Sequence, residues 1–266
     1  MKLTMLGTGN ALVTECYNTC FVLEENGQYF MVDGGGGSTV LHQLSHAGFD
    51  WMDMRHIFVT HKHIDHLMGI IWMVRMICQF MNHGEYKGEA WLYSHREVLD
   101  LIRDMAGKLL GAKQVRFIDD RLHLEEIHDG ETRSIMGHDV TFFDIHSTKA
   151  KQFGFCMDMG NGRKLTCCGD EPYDECEEKY ARDSDWMLHE AFCLYSEREA
   201  FDPYEKHHST VKDACELAEK LNVKNLLLYH TEDSHISDRK ALYLEEGSRY
   251  YHGNLLIPDD LEAVEL

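Results

Sequence analysis

The chain has 266 residues, of which 44% are hydrophobic, so it is long enough to bury a sizeable core. Its 46 acidic residues outnumber its 26 lysines and arginines, which gives a formal net charge of −20. Because proteins bind long polynucleotides by neutralising phosphates with lysine and arginine, this charge argues against broad nucleic-acid binding unless a basic patch is sharply localised.

Several features bear on domain number and cellular location. Only three prolines occur, and no linker or internal repeat marks a boundary, which favours one domain over residues 1–266. The N-terminal apolar run breaks at Gly7, too early for a signal peptide. The most apolar run, 67–81, contains Arg75 and is too short to span a bilayer, so we expect no membrane partner. Nine cysteines without a Cys-x-x-Cys pair indicate reduced thiols in a cytoplasmic protein.

The predicted elements are short apolar strands and helices with apolar residues at helical spacing. Two early strands flank Asn26-Gly27, the dipeptide typical of a two-residue hairpin turn. In chain order, we predict strands at 2–6, 20–24, 28–32, 57–59, 89–93, 121–127, 140–145, 164–168, 186–188 and 225–229, with a further strand opening at 154, and helices at 38–46, 67–81, 96–110 and 211–221.

Asp33 follows the third predicted strand and precedes four consecutive glycines, which permit close backbone approach. Its carboxylate suits two roles. It either orients a histidine that binds a metal, or it caps the helix predicted at 38–46. The sequence leaves both roles open.

Residues 60–66, Thr-His-Lys-His-Ile-Asp-His, place four side chains able to hold a transition metal within six residues. They follow a buried strand, and alternate residues of an extended chain point the same way, so the first three donors are expected to share one locus. We expect the next helix to begin at Leu67. Nitrogen and oxygen donors suit a first-row divalent metal, and the alternative is a polar loop with unrelated histidines. The four side chains are His61, His63, Asp65 and His66.

This motif, continued by Leu-Met-Gly, resembles the metal-binding motif of the metallo-β-lactamase superfamily. The resemblance implies three further ligands downstream, a histidine, an aspartate and a final histidine, each at the end of a strand. The sequence supplies His146, Asp170 and His230 in that order. The resemblance extends from Gly7 to about Arg249 and implies a four-layer αββα sandwich, an α/β fold.

The resemblance also implies a dinuclear centre. Two such cations lower the pKa of a shared water and so supply hydroxide near neutral pH. Zinc suits these donors, and manganese and iron are alternatives. We predict that Asp65 is a catalytic residue as well as a metal ligand. The resemblance assigns one ion to His61, His63 and His146 and the other to Asp65, His66 and His230, and it implies that Asp170 bridges the two.

Two further segments, His189-Glu190-Ala191 and His208-Ser209-Thr210, resemble elements of ribonuclease Z and its phosphodiesterase relatives. There the glutamate orients the histidine, which donates a proton to the departing alkoxide. The resemblance therefore implies that Glu190 orients His208 as a general acid, which is needed because an alkoxide is a poor leaving group. The alternative is a buried glutamate paired with a histidine that caps a helix.

The sequence departs from ribonuclease Z where that family carries a long arm that grips transfer RNA. Positions 146 and 170 are too close to accommodate the arm, and the chain is strongly acidic. We therefore predict a phosphodiesterase that acts on a small or short substrate. Lys149 and Lys151 either meet a substrate phosphate or are solvated.

Three alternative functions stay open. The first is transfer-RNA 3′ processing, and the second is hydrolysis of another ester class such as a thioester, sulfate ester or lactam. The third is a non-catalytic metal-binding or sensor protein with a closed metal site. The methionine-rich run 67–81 is either a core helix or the interface of a homodimer.

Overall fold

The computed structural model describes all 266 residues, which divide into two compact units. Unit 1 comprises Met1–Gly7, Tyr17–His128 and Leu261–Leu266, and unit 2 comprises Thr8–Cys16 and Asp129–Asp260. Each unit carries its own seven-stranded sheet and its own hydrophobic cluster. The prediction of one domain for the whole chain stays a prediction.

The sheet of unit 1 is mixed. Its strands, numbered in chain order for the whole protein, are β1 (Lys2–Gly7), β2 (Cys20–Glu25), β3 (Gln28–Val32), β4 (His56–Phe58), β5 (Ala90–Ser94), β6 (Leu122–Glu126) and β14 (Ala263–Glu265). They lie in the order β14-β1-β2-β3-β4-β5-β6, antiparallel from β14 to β3 and parallel from β3 to β6. The predicted hairpin is confirmed, with φ of 52° at Asn26 and 72° at Gly27.

The helices of unit 1 are α1 (Thr39–His46), α2 (Ile64–His83), α3 (Arg96–Leu109) and α4 (Ala112–Val115). The predicted start of α2 at Leu67 was wrong, because Asp65 and His66 already belong to its first turn. Apolar periodicity does not reveal a first turn whose side chains are polar. An aspartate there is favourable, since its charge interacts with the positive end of the helix dipole.

Helix α2 is also longer than the predicted run. At 20 residues it has the length and composition to cross a membrane, but 61% of its most apolar window is buried inside the protein. Burial of this kind is typical of a core helix.

Helix α2 packs closely against the glycine loop that follows β3. The amide of Gly69 donates to the carbonyl of Gly35 at 2.9 Å, and the amide of Gly34 donates to the carbonyl of His66 at 2.9 Å. A Cβ at position 69 would lie 1.7 Å from the carbonyl oxygen of Gly34. Position 69 must therefore be glycine for the first turn of α2 to lie beside this loop.

The sheet of unit 2 is mixed as well. Its strands are β7 (Thr132–Ile135), β8 (His138–Asp144), β9 (Phe153–Gly160), β10 (Arg163–Cys167), β11 (Trp186–Glu190), β12 (Asn225–Tyr229) and β13 (Asn254–Leu256). They follow the order β13-β12-β11-β10-β9-β8-β7, antiparallel from β7 to β10 and parallel from β10 to β13. The two edge strands, β7 and β13, were not predicted, because they are short and lie partly exposed.

The helices of unit 2 are α5 (Glu178–Ala181), α6 (Arg198–Phe201), α7 (Val211–Lys220) and α8 (Arg239–Gly247). Helix α7 begins after Thr210, whose hydroxyl accepts a hydrogen bond from the amide of Asp213. Threonine is a favoured N-cap residue.

Parallel strands bring the predicted site residues of each unit to one sheet edge. In unit 1, Val32 of β3 lies opposite Phe58 of β4, and the chain continues from these strands to Asp33 and Thr60. In unit 2, the last residue of β11 is Glu190, which lies opposite Tyr229 at the end of β12.

Three of the predicted site residues have a backbone in the left-handed conformation. Asp33, His146 and His230 have φ of 57°, 57° and 58°. Side chains with a Cβ rarely adopt this conformation, and such strain is concentrated at functional sites. Each of these three residues follows the end of a strand.

Candidate metal centre and proton donor

Unit 1 brings its four predicted metal ligands together. Nε2 of His61 lies 2.8 Å from Nδ1 of His63. Nε2 of His66 lies 3.4 Å from Oδ2 of Asp65, and the rings of His61 and His66 have centroids 4.3 Å apart. Because Asp65 and His66 occupy the first helical turn, the short motif places all four donors in one cluster.

Asp33 and Thr60 orient two of these histidines. Oδ2 of Asp33 lies 2.8 Å from Nδ1 of His66 and accepts the hydroxyl proton of Thr60 at 2.8 Å. The Thr60 oxygen in turn lies 2.9 Å from Nδ1 of His61, and it can only accept there because its single proton is already donated. Both rings therefore carry their proton on Nδ1 and present Nε2, the arrangement of a ligand histidine.

The same contacts decide between the two roles predicted for Asp33. The N-cap of α1 is Ser38, which makes no side-chain capping bond. Asp33 accepts from the amide and hydroxyl of Thr60 and from His66 instead. Asp33 therefore contacts a histidine and does not cap α1, and metal binding by that histidine stays a prediction.

Unit 2 brings together two of its three predicted ligands. Nε2 of His230 lies 3.6 Å from Oδ2 of Asp170, and both side chains are buried. The amide of Gln152 donates to the other carboxylate oxygen of Asp170. The hydroxyl of Tyr229 donates to the carbonyl of Gly169, which supports the turn before Asp170.

His146, the third predicted ligand of unit 2, has different neighbours. Its side chain is 60% exposed, and Nδ1 lies 3.6 Å from Oδ1 of Asp174. Cys176 lies within the same group of potential donors. The assignment of His146 to a metal stays a prediction.

The predicted proton donor lies beside the buried pair of unit 2. Glu190 is fully buried, and its Oε2 lies 3.6 Å from Nδ1 of His208, while its Oε1 accepts the amide of Ser209. The ring of His208 stacks on Phe192 at 4.9 Å and lies 5.3 Å from the ring of His230. The contacts hold the imidazole next to a predicted metal ligand.

The alternative role of His208 as a helix cap is wrong, because Thr210 is the N-cap of α7. The glutamate and histidine are nevertheless buried together. The pair therefore forms at the end of strand β11, where Glu190 lies, and does not depend on capping of α7.

Sequence reasoning did not distinguish Lys149 from a solvated lysine. Its ammonium lies 3.4 Å from Nε2 of His208, 2.9 Å from the carbonyl oxygen of Lys206 and 3.8 Å from Oε1 of Glu171. Glu171 and Phe192 were not predicted from the sequence. Glu171 directly follows Asp170, and Phe192 directly follows the His-Glu-Ala segment. Their position beside a predicted motif was the signal that could have identified them.

The profile of the family described as Anti-Pycsar protein Apyc1 matches residues 1–247, nearly the whole chain. The chain belongs to the Anti-Pycsar Apyc1 family.

This Apyc1-family protein is also similar to ribonuclease Z and to metallo-β-lactamase fold proteins. Ribonuclease Z of Archaeoglobus fulgidus is 25% identical over 315 residues, covering 100% of this chain and 97% of that protein. The metallo-β-lactamase fold protein YhfI of Bacillus subtilis superposes on this chain with a TM-score of 0.77 at 15% identity. The superposition covers 99% of this chain and 98% of YhfI. Human tRNase Z, short form, superposes with a TM-score of 0.74 at 20% identity, covering 100% and 99%.

These similarities confirm two predictions for the Apyc1-family protein. The fold is an α/β sandwich of the metallo-β-lactamase type. The protein is a ribonuclease Z-like, metal-dependent hydrolase.

The chemistry of the predicted donors in the Apyc1-family protein fits a divalent transition metal. They are imidazoles and carboxylates, which suit zinc, manganese and iron. In unit 1, buried His61 and His66 are held with Nε2 presented, as metal-binding histidines are.

Proposed function

We propose that this Apyc1-family protein is a phosphodiesterase that cleaves a small or short substrate with two divalent ions. The observation that carries the proposal is the Glu190–His208 pair, 3.6 Å apart and beside His230. A positioned proton donor is valuable where the leaving group is a poor one, such as an alkoxide. Thiolates leave more readily, so the pair favours a phosphodiester over a thioester.

The residues proposed to hold the ions are the seven predicted ligands. When bound, two divalent ions supply a nucleophile from water near neutral pH and offset the charge of the phosphate. Zinc is the proposed metal, with manganese and iron as alternatives. The seven ligands are His61, His63, Asp65, His66, His146, Asp170 and His230.

The protein's own residues would perform the other tasks. Asp33 keeps the ring of His66 in place, and Thr60 does the same for His61. Glu190 orients His208, which would donate a proton to the leaving oxygen, so that the alkoxide departs as a neutral alcohol. Water then restores the proton on His208.

A small substrate agrees with two features of the chain. The interval between His146 and Asp170 is occupied by the strands β9 and β10, which leave no insertion of the kind that grips transfer RNA. The net charge of −20 opposes a long polyanion.

Transfer-RNA 3′ processing is the second candidate, because relatives covering nearly the whole chain are named ribonuclease Z. A precursor transfer RNA with a 3′ trailer would test it directly. Cleavage at the trailer junction at a rate above that for a dinucleotide would favour this candidate over the small substrate.

The test of the proposal uses protein stripped with a chelator and reloaded with Zn²⁺ or Mn²⁺. We expect hydrolysis of bis(p-nitrophenyl) phosphate and of a short dinucleotide, and two bound ions per chain by elemental analysis. No turnover with either metal would contradict the phosphodiesterase. A single bound ion at saturation would contradict the dinuclear centre, and intact activity without metal would contradict both.

The homodimer is a separate proposal. In α2, Ile64 and Trp72 are 69% and 38% exposed, although the opposite side of the helix is buried. A second copy of the chain would cover such apolar side chains. Light scattering at low micromolar concentration should then give twice the chain mass, and a monomer would end this proposal.

A further inference from the structure

The ammonium of Lys149 occupies an unusual position for a lysine in an acidic protein. It lies 3.4 Å from Nε2 of His208, the atom that would carry the donated proton. It also donates to the carbonyl of Lys206 at 2.9 Å. The side chain is only 26% exposed, so this charge is partly withdrawn from water.

The loop that carries Lys149 is fastened in place by Glu171. Oε1 of Glu171 accepts the hydroxyl of Ser147 at 2.7 Å, and its Oε2 accepts the amide of Thr148 at 3.3 Å. Glu171 is buried, and its Oε1 lies 3.8 Å from the ammonium. A lysine held by its neighbours in this way loses less entropy on binding a ligand than a solvated one.

We propose that Lys149 binds a non-bridging phosphoryl oxygen of the substrate and selects for anionic esters. This inference rests on the proposed phosphodiesterase. A leaving oxygen that contacts Nε2 of His208 is bonded to phosphorus, so the other phosphoryl oxygens are two bonds away. An ammonium 3.4 Å from the same nitrogen is within reach of those oxygens.

The chemistry of the contact supports a role that appears only with substrate. An ammonium group has donors and no acceptor, so its contact with Nε2 of His208 is a hydrogen bond only while that nitrogen carries no proton. A phosphate is the stronger acceptor, because its hydrogen bond to an ammonium is charge-assisted on both sides. Substrate would therefore take the ammonium and release Nε2 from this contact.

The competing explanation is that Lys149 only ties its loop to Glu171. Lys151 is a matched control for this possibility. It lies on the same loop with the same charge, but it is 46% exposed, lies 3.8 Å from Oδ2 of Asp144 and packs over the ring of Phe153 at 5.4 Å.

The experiment compares Lys149→Met, Lys149→Arg and Lys151→Met in zinc-loaded protein. Calorimetric titration with inorganic phosphate measures anion binding without turnover, and bis(p-nitrophenyl) phosphate provides kcat and KM. We expect Lys149→Met to weaken phosphate binding and raise KM by about tenfold or more, the scale of a lost charge-assisted hydrogen bond. Lys149→Arg should retain most of the binding, and Lys151→Met should stay within about twofold of the parent protein.

Phosphate binding that is equal in Lys149→Met and Lys151→Met would overturn the inference and leave Lys149 as a loop tie. Weaker binding in Lys149→Met that Lys149→Arg does not restore would also overturn it, since a charge role predicts rescue. An inactive parent protein that binds phosphate through Lys149 would contradict the phosphodiesterase alone. Zinc content measured in each variant separates these outcomes from loss of metal.

Discussion

Oδ2 of Asp33 lies 2.8 Å from Nδ1 of His66, and both side chains are buried. The carboxylate follows strand β3, whereas the histidine lies in the first turn of α2. A carboxylate that accepts from one ring nitrogen directs the other nitrogen and raises its basicity as a ligand. If His66 binds a metal as predicted, Asp33 would orient it for that role.

Asp33→Ala should weaken metal binding by about 10- to 100-fold, because His66 would lose its orienting partner and Thr60 would lose its acceptor. Competition with a chromophoric chelator measures this affinity. Asp104→Asn is the control, since Asp104 is exposed on α3 and pairs with Lys108. Equal zinc affinity in the two variants would contradict the role of Asp33.

His208→Ala should slow hydrolysis according to the leaving group. For a dinucleotide with an alkoxide leaving group, we expect kcat to fall by roughly 10²- to 10⁴-fold. For bis(p-nitrophenyl) phosphate the loss should be much smaller, because p-nitrophenolate departs without a proton. Glu190→Gln should show the same pattern with a smaller loss, since the imidazole remains.

Steady-state kinetics with both substrates tests this dependence on the leaving group. Equal losses for the two substrates would indicate a structural role for the pair rather than proton donation. The zinc content of each variant should match that of the parent protein, because neither residue is a predicted ligand.

Glu177 should make the protein less stable as the pH rises. Its side chain is fully buried, and burial raises its pKa from 4.5 to about 8. The folded state therefore binds the proton more tightly than the unfolded state. The contribution of Glu177 to the free energy of unfolding should therefore fall as the pH rises from about 4.5 to about 8. At about 1.4 kcal/mol per pKa unit, the loss is on the order of a few kcal/mol.

Glu177→Gln should remove this contribution, because a neutral amide keeps an acceptor for the amide of Asp174 and carries no charge. Urea denaturation of metal-free protein at pH 5 and pH 8 is the measurement. The variant should gain stability relative to the parent protein at the higher pH. Glu175→Gln, at an exposed position in the same turn, is the control, and an identical pH dependence in both variants would contradict the prediction.

Gly69→Ala should destabilise unit 1, because the added methyl group would lie 1.7 Å from the carbonyl oxygen of Gly34. Overpacking of this kind costs about 1–3 kcal/mol, and here the obstacle is backbone. Gly107→Ala is the matched control in helix α3, where nothing lies within 4 Å of the new methyl group.

The control substitution should stabilise the protein by up to about 1 kcal/mol, since alanine favours a helix more than glycine does. Chemical denaturation of both variants measures the difference. A Gly69→Ala protein as stable as Gly107→Ala would show that α2 can move away from the glycine loop.

The sequence by itself determined the features that neighbouring residues encode. The hairpin at Asn26-Gly27 follows from turn chemistry, and the donors of residues 60–66 lie within one short segment after a strand. Apolar periodicity located most strands and helices, but it missed the polar first turn of α2 and the edge strand β7. The first turn of α2 buries Asp65 and His66, which are polar, and β7 buries little, whereas the pattern reports only apolar side chains.

Only the tertiary structure decided which distant residues meet. Asp33 contacts His66 for two reasons. Strands β3 and β4 are parallel neighbours, and glycines let α2 lie close to the loop that follows β3. Lys149 meets His208 across 59 positions of sequence, and the pKa of Glu177 depends on the side chains that bury it. Contacts of this kind arise from packing between elements, which local patterns of residues do not specify.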